Sequence, residues 1–562
     1  MTPYRKRPYL PFVLSLVLLA PVVVRAQAPL HQRIDQAIAA GQPDFARRAA
    51  GQASDAEFLR RIYLDLTGVV PTTTQARDFL KDTSPGKRQT LIDRLLASPE
   101  HARHLATWLD VTLMERRPDK YVPRAQWLEY LRTSAAENKP WDALVREMLS
   151  NDGADAKTRP AAKFYLEREA ESNLLTRDIS RLMLGTNLQC CQCHDHPRID
   201  DYKQLHYYGL FAFLNRSSVV VDQKLKMAVL SEKADGDVTF QSVFDPAKVT
   251  KNTGPRLPEG PPLKEPAVEK GKEYVVAPAK NVRGVPKYSR RALLGPTLAR
   301  ADNEQFKRNI ANRLWALMMG RGLVHPLDLD HSANPPSHPE LLKLLSDDIG
   351  ARKFDMRGFL RELALSQTYQ RSSEQPSGGK EAGGRDARAP ERGRPARLVE
   401  PASYTVALLK PLTPEQLAFS LLQASGFTDA ERLALGKNAT ESALYGRLAG
   451  NATPIVKAFA GPAGKPQEFD AQLDQALFLA NGPTVRGWLA PRAGNLIDRL
   501  TKLTNTDALA EELYVSVFTR LPSAEERKEV ADFLASRSKD RAAALQDMAW
   551  ALLASAEFRF NH

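Results

Sequence analysis

A chain of 562 residues carries only three cysteines, and all lie within four positions: Cys190-Cys191-Gln192-Cys193, with His194 next. Two thiols about one turn apart, followed by an imidazole, match the attachment signature of c-type haem. The spacing has a chemical reason, because two such thiols can add to the two vinyl groups on one porphyrin edge while the next residue offers its imidazole to the iron. On this reading Cys190 and Cys193 bind the cofactor and His194 is the proximal ligand. Two rivals use the same residues. Cys190, Cys191, Cys193, His194 and His196 are all of zinc-binding type, and a Cys190–Cys193 disulfide would also satisfy the sequence. Cys191 takes part only in the zinc alternative, and His196 is either a zinc ligand or a neighbour supporting His194.

An odd, clustered count is not a disulfide framework, which spreads an even number of cysteines over distant segments. For the sixth haem position His206, Met183, Met227, His331 and His338 are all candidates, and the sequence does not choose among them. Asp195, Asp200, Asp201 and Tyr202 read as an exposed acidic turn beside the cluster. Ser337-x-x-Glu340 ahead of Leu341 reads as a capping box, which makes Ser337 structural and not nucleophilic. There is no G-x-S-x-G, H-E-x-x-H, P-loop or G-x-G-x-x-G string, so the readiest hydrolase, zinc-protease and nucleotide assignments fall away.

The cluster must be positioned by what precedes it. Leu174, Leu175, Ile179, Leu182 and Met183 recur at helical spacing behind Ser172, a candidate N-cap, and Gly185 and Asn187 then break the pattern. The cysteines therefore sit on a loop just beyond a packed helix. The same periodicity runs from Ala56 to about Asn215, returns from Arg290 to about Gln370, and resumes from Thr413 to Phe558. Between the first two blocks, Val219–Val221, Met227–Leu230 and Val238–Phe240 read as short strands with Asp235-Gly236 as a turn, followed by a Pro-rich stretch from Gly254 to Pro266.

The fold expected is mainly α, a multi-helical two-domain protein with a small β-containing insert between the domains. The boundaries read as a signal peptide at 1–28, an N-terminal helical domain at 29–215, the insert and linker at 216–289, and a C-terminal helical domain at 290–371 and 401–562. Residues 372–400, rich in Gly, Pro, Arg and Glu, read as a disordered basic loop within that second domain.

Compartment follows from the first residues. Arg5, Lys6 and Arg7 precede an apolar run from Leu10 to Val24, with Ala26 and Ala28 as a cleavage signature. The chain is expected to be exported, to the periplasm or cell envelope, with no membrane span once that segment is removed. The formal charge of +13 is scattered through helices with no nucleic-acid motif, so a solvated basic surface is expected and no nucleic-acid partner. An envelope redox partner is the partner a haem protein would need.

The two ends of the chain echo each other. Tyr63, Pro71, Asp78-Phe79-Leu80 and Leu95-Leu96-Ala97-Ser98-Pro99-Glu100 are answered by Tyr514, Pro522, Asp532-Phe533-Leu534 and Leu552-Leu553-Ala554-Ser555-Ala556-Glu557. The Tyr-to-Pro spacing is the same in both, which suggests a repeated helical hairpin.

Phe58-Leu59-Arg60-Arg61-Ile62-Tyr63-Leu64-Asp65-Leu66-Thr67-Gly68 and Leu184-Gly185-Thr186-Asn187-Leu188-Gln189-Cys190-Cys191-Gln192-Cys193-His194-Asp195-His196-Pro197 resemble the planctomycete-type, cytochrome-like PSCyt domain of unknown function. Asn312-Arg313-Leu314-Trp315, Gly320-Arg321-Gly322-Leu323-Val324 and Pro335-Pro336-Ser337-His338-Pro339-Glu340-Leu341-Leu342 resemble the PSD domain that follows it in these secreted proteins. The resemblance implies a cytochrome-like character resting on this motif and no established activity. A thiol at Cys191 departs from the small or polar residue usual there. Three functions follow as expectations: haem-dependent electron transfer or redox chemistry, an envelope scaffold whose Cys/His loop holds zinc or a disulfide, and a hydrolase linked to polymer degradation.

Overall fold

A computed structural model of the chain describes residues 27–374, 400–461, 472–537 and 539–561. The signal segment at 1–28, apart from its last two residues, and the basic loop at 372–400, apart from its ends, lie outside the described residues. Among the described residues helices dominate, and every sheet is two-stranded. Among the described residues no helix is long and apolar enough to cross a membrane.

The apolar faces predicted from periodicity are the faces that pack. Leu91, Ile92, Leu95 and Leu96 form the buried side of helix Lys87–Leu96, and Trp141, Leu144, Val145 and Met148 that of helix Trp141–Ser150. The insert interrupts the chain without dividing the core. One apolar cluster runs from Leu30 to Leu214 and continues through Leu294–Tyr369, so the helices on both sides of the insert close over one interior. Trp141 stacks on Phe306 with ring centroids 6.4 Å apart, and the Arg146 guanidinium donates to the Ala299 carbonyl at 2.8 Å. A second cluster gathers Leu412–Phe558.

Within the insert, Ser217–Asp222 pairs antiparallel with Met227–Glu232, and Val238–Phe240 pairs with Lys251–Thr253. Asp235-Gly236 therefore does not form the turn of a hairpin. Tertiary contacts explain this: the Gly236 carbonyl accepts from Arg216 Nε at 3.3 Å and Arg290 Nη1 at 3.2 Å, which ties the connection to the turn after helix Gln204–Leu214 and to the start of helix Arg290–Leu298 instead of to a partner strand.

The echo between the chain ends is structural. Helix Asp55–Thr67 ends on Gly68 and helix Thr506–Phe518 on Thr519, both with positive φ. The next helices, Thr73–Lys81 and Ala524–Ser536, each open with a reciprocal capping box, Thr72 with Gln75 and Ser523 with Glu526. Third helices follow at Lys87–Leu96 and Arg541–Ala554, and Ser98 and Ser555 then cap the fourth. The copies trade side chains. Leu64, next after Tyr63, joins the second core, whereas Val515, next after Tyr514, joins the first.

A buried polar seam accompanies this exchange. Strand Lys410–Pro411 pairs with Phe560–Asn561 and delivers both ends to Asp65. One carboxylate oxygen accepts from Lys410 Nζ at 2.5 Å and from Asn561 Nδ2 at 2.8 Å, and the other from the Tyr369 hydroxyl at 2.8 Å. Burial raises the Asp65 carboxyl and lowers the Lys410 ammonium, and each is opposed by the charge of the other.

Candidate functional site

Helix Ser172–Leu184 buries Leu175, Ile179, Leu182 and Met183. Its N-cap is Glu171, one residue earlier than Ser172, because the carboxylate reaches both the Asn173 and Leu174 amides, at 2.9 and 2.5 Å. Gly185 ends it with φ +71°, where a side chain would be strained. The following residues Thr186 and Leu188 turn inward, and a short 3-10 turn spans Gln189–Gln192.

That turn sorts the three thiols. Cys190 and Cys193 face solvent, whereas Cys191 is buried in the first core, and burial pushes its thiol up to about 12. All three are unpaired. The third thiol is thus a small apolar anchor for the loop, the ordinary behaviour of a buried cysteine.

The two imidazoles of the motif differ in a way that only geometry shows. His194 Nδ1 lies 2.7 Å from the Asp195 carbonyl oxygen, an acceptor, so Nδ1 carries the proton and donates it, and Nε2 keeps its lone pair. His196 Nδ1 accepts from the Arg198 and Ile199 amides at 3.2 and 3.0 Å, so its proton sits on Nε2. Asp195 also turns its carboxylate to the Gln204 amide at 2.7 Å, at the start of helix Gln204–Leu214.

Two distant segments hold the loop. From the insert, the Val243 amide donates to the Cys193 carbonyl at 3.0 Å, and the Phe244 ring packs on His194 with centroids 4.5 Å apart. Tyr208, stacked on Phe240, donates its hydroxyl to the Gln192 carbonyl at 2.8 Å. From the other side, the Asp330 amide donates to the Gly185 carbonyl at 2.9 Å, Asn309 Nδ2 to the Leu182 carbonyl at 2.7 Å, and the Ser332 hydroxyl to Asp201 at 2.8 Å. None of these contacts carries a sequence motif. The nearest signal is the apolar pair Val243-Phe244 set among the polar residues Gln241, Ser242 and Asp245.

The other candidates scatter. Met183 is enclosed in the first core, and Met227 begins a strand of the insert. His331 meets the site through Tyr202, whose ring lies edge-on to both His196 and His331, and burial lowers the His331 and His206 imidazoles. His338 packs on Tyr404 and is itself the N-cap residue of helix Pro339–Ala351. The capping box expected of Ser337 and Glu340 therefore does not form, because Pro339 starts the helix one residue later than that pattern needs.

Asp200 stays exposed and Asp201 is drawn into the Ser332 contact, so the acidic turn is only partly open. Among the described residues no three His, Cys, Asp or Glu side chains converge as a metal-ion site.

A family model described as a protein of unknown function (DUF1549, PSCyt2) matches residues 33–219, and a second with the same description (DUF1553, PSD1) matches residues 290–534. Neither a curated protein nor a solved structure matches the chain. The order and the residues matched agree with the resemblance read from the sequence, and the chain belongs to the two-domain family of unknown function in which PSCyt2 precedes PSD1.

Proposed function

We propose that the chain is an exported haem protein, with Cys190 and Cys193 in thioether linkage to one haem and His194 as its proximal ligand, and that it transfers single electrons at the cell envelope. The opposite protonation of two neighbouring imidazoles carries this reading. His194 donates through Nδ1 to a backbone carbonyl and so leaves Nε2 for a metal, the arrangement by which outer contacts orient a ligating histidine. His196 spends its Nδ1 lone pair on two amides. Two exposed thiols beside one available imidazole suit a haem, which takes its other four iron ligands from the porphyrin. A closed structural zinc site would need four protein donors, and Cys191, turned into the core, and His196, whose Nδ1 accepts from two amides, are poorly placed to complete it.

Attachment adds each thiol across a vinyl group, sulfur to one carbon and the thiol hydrogen to the other, so nothing leaves and no oxidant is consumed. When bound, the haem supplies a one-electron iron couple. The chain's own residues hold the site. The Asp195 carbonyl orients the imidazole, Tyr208 and Val243 pin the backbone on either side of Cys193, and Cys191 anchors the turn in the core. The basic and apolar residues at the N-terminus support delivery to the compartment where such attachment takes place.

A pyridine haemochrome spectrum of the full chain, produced with periplasmic haem-attachment machinery, tests the reading. A c-type spectrum is expected in the wild type and in Cys191→Ala, and its loss in Cys190→Ala/Cys193→Ala. A colourless protein carrying zinc or no metal would overturn the redox reading in favour of an envelope scaffold.

A further inference from the structure

The segment that packs on His194 belongs to neither family match, since residues 241–249 fall between them. It is nonetheless an ordered turn. The Asp245 carboxylate accepts from the Ala247 and Val249 amides at 3.0 and 3.1 Å, and the Ser242 hydroxyl accepts from the Phe244 amide at 3.3 Å. This turn holds three large apolar side chains in solvent: Val243 is 66% exposed, Phe244 70% and Val249 52%. The largest stands over an imidazole, tilted 37° to it, and the residue beside it is hydrogen-bonded to the Cys193 carbonyl. An exposed aromatic fixed in this way shields little of the protein and acts on its one ring neighbour.

We propose that Phe244 is a positioning residue for His194: packed against the imidazole at a tilt of 37°, it restrains the ring's rotation and covers that side of it from water. The Nδ1–H bond to the Asp195 carbonyl restrains the ring at one atom. A ring packed against it restrains the remaining rotation, and the hydrogen bond from the Val243 amide to the Cys193 carbonyl keeps that restraint in step with the second thiol. The inference rests on the haem reading, in which the rotation of the proximal imidazole sets the electronic state of the iron.

The test compares wild type, Phe244→Ala, Phe244→Leu, Phe244→Tyr and Val221→Ala, the last a remote side chain 59% exposed on strand Ser217–Asp222. Haem loading is read by haemochrome, and the site by ferric electron paramagnetic resonance and midpoint potential. At equal loading, Phe244→Ala and Phe244→Leu are expected to shift and broaden the g values and move the potential, while Phe244→Tyr restores both and Val221→Ala changes neither. Phe244→Leu, which keeps apolar bulk in the turn, decides the matter should Phe244→Ala fail to accumulate. Wild-type g values and potential in fully loaded Phe244→Ala or Phe244→Leu would overturn the positioning role and leave the haem reading standing. A wild type without haem would overturn that reading, and this inference with it, by a separate measurement.

Discussion

The helical unit that starts at Asp55 and its echo that starts at Thr506 share the same local punctuation, yet they bury different chemistry. Where the first has Arg60 and Asp65, the second has Glu511 and Ser516 at the same distances from its tyrosine. Arg60 is fully buried and donates to the Val517 and Phe558 carbonyls at 3.2 and 2.8 Å, both in the other copy. Burial lowers its guanidinium to about 10, and the Glu557 charge opposes that fall. Glu511 reaches only Arg77, at 3.5 Å, in a part-exposed pair. Ser516 has two hydrogen-bond partners, Thr73 at 2.8 Å and Arg499 at 3.4 Å, whereas Asp65 anchors three, one of them a buried ammonium. A repeated backbone pattern thus leaves open which charges each copy buries, and the first copy, with both Arg60 and Asp65 inside against Glu512 alone in the second, carries the greater liability.

Acid should expose that liability most. His101 follows Ser98 by the spacing at which Phe558 follows Ser555, so the first copy holds an imidazole where the second holds a benzene ring. Burial lowers His101 to about 4 and, helped by the Arg103 charge, His104 to about 3, from an ordinary 6.5. Both are neutral in the folded chain, while the unfolded chain takes up protons below about pH 6.5. Their contribution is therefore complete above that pH and is lost as pH falls towards the folded values, at about 1.4 kcal/mol per pH unit for each. Urea denaturation should show unfolding free energy dropping by several kcal/mol between about pH 7 and about pH 4.5, and His101→Phe should flatten the slope. Equal stability at the two pH values would remove the distinction.

Next in size is the charge seam. Asp65→Ala strands Lys410 in the interior and should cost about 4 kcal/mol, whereas Ser516→Ala should cost about 1 kcal/mol. Denaturation midpoints that move by the same amount in both variants would break the comparison at its centre. Arg60→Ala leaves two carbonyls unpaired and a void, at roughly 3 kcal/mol, while Glu511→Ala should stay within about 0.5 kcal/mol. The smallest effect sharpens the likeness instead: Thr72→Ala and Ser523→Ala, each removing one capping box, should each cost about 1 kcal/mol. Clearly unequal costs would mean that the two boxes are not equivalent elements.

Legibility followed the range of the forces involved. The apolar faces of Lys87–Leu96 and Trp141–Ser150 and the end of a helix at Gly185 depend on residues a few positions apart, and all were readable. Errors came where competing partners lay close by or far off. Glu171 outreached Ser172 for two amides, Pro339 shifted a helix start past Ser337, and Arg216 and Arg290 drew Gly236 out of a hairpin. The continuity of the first core across the insert had no local sign at all, because Trp141 and Phe306 meet only in the folded chain.

What the sequence by itself determined is the list of reactive atoms and their spacing: two thiols and an imidazole in a run behind a packed helix. What only the tertiary structure decided is which of them face outward and in what state. Cys191 turns into the core, His194 donates through Nδ1 to a carbonyl, His196 accepts through Nδ1 from two amides, and Phe244 comes to rest against the first of these rings. The reason is physical. Spacing along the chain is covalent and travels with the sequence, whereas a side chain's direction and proton are set by whichever carbonyls, amides and rings the rest of the chain brings against it.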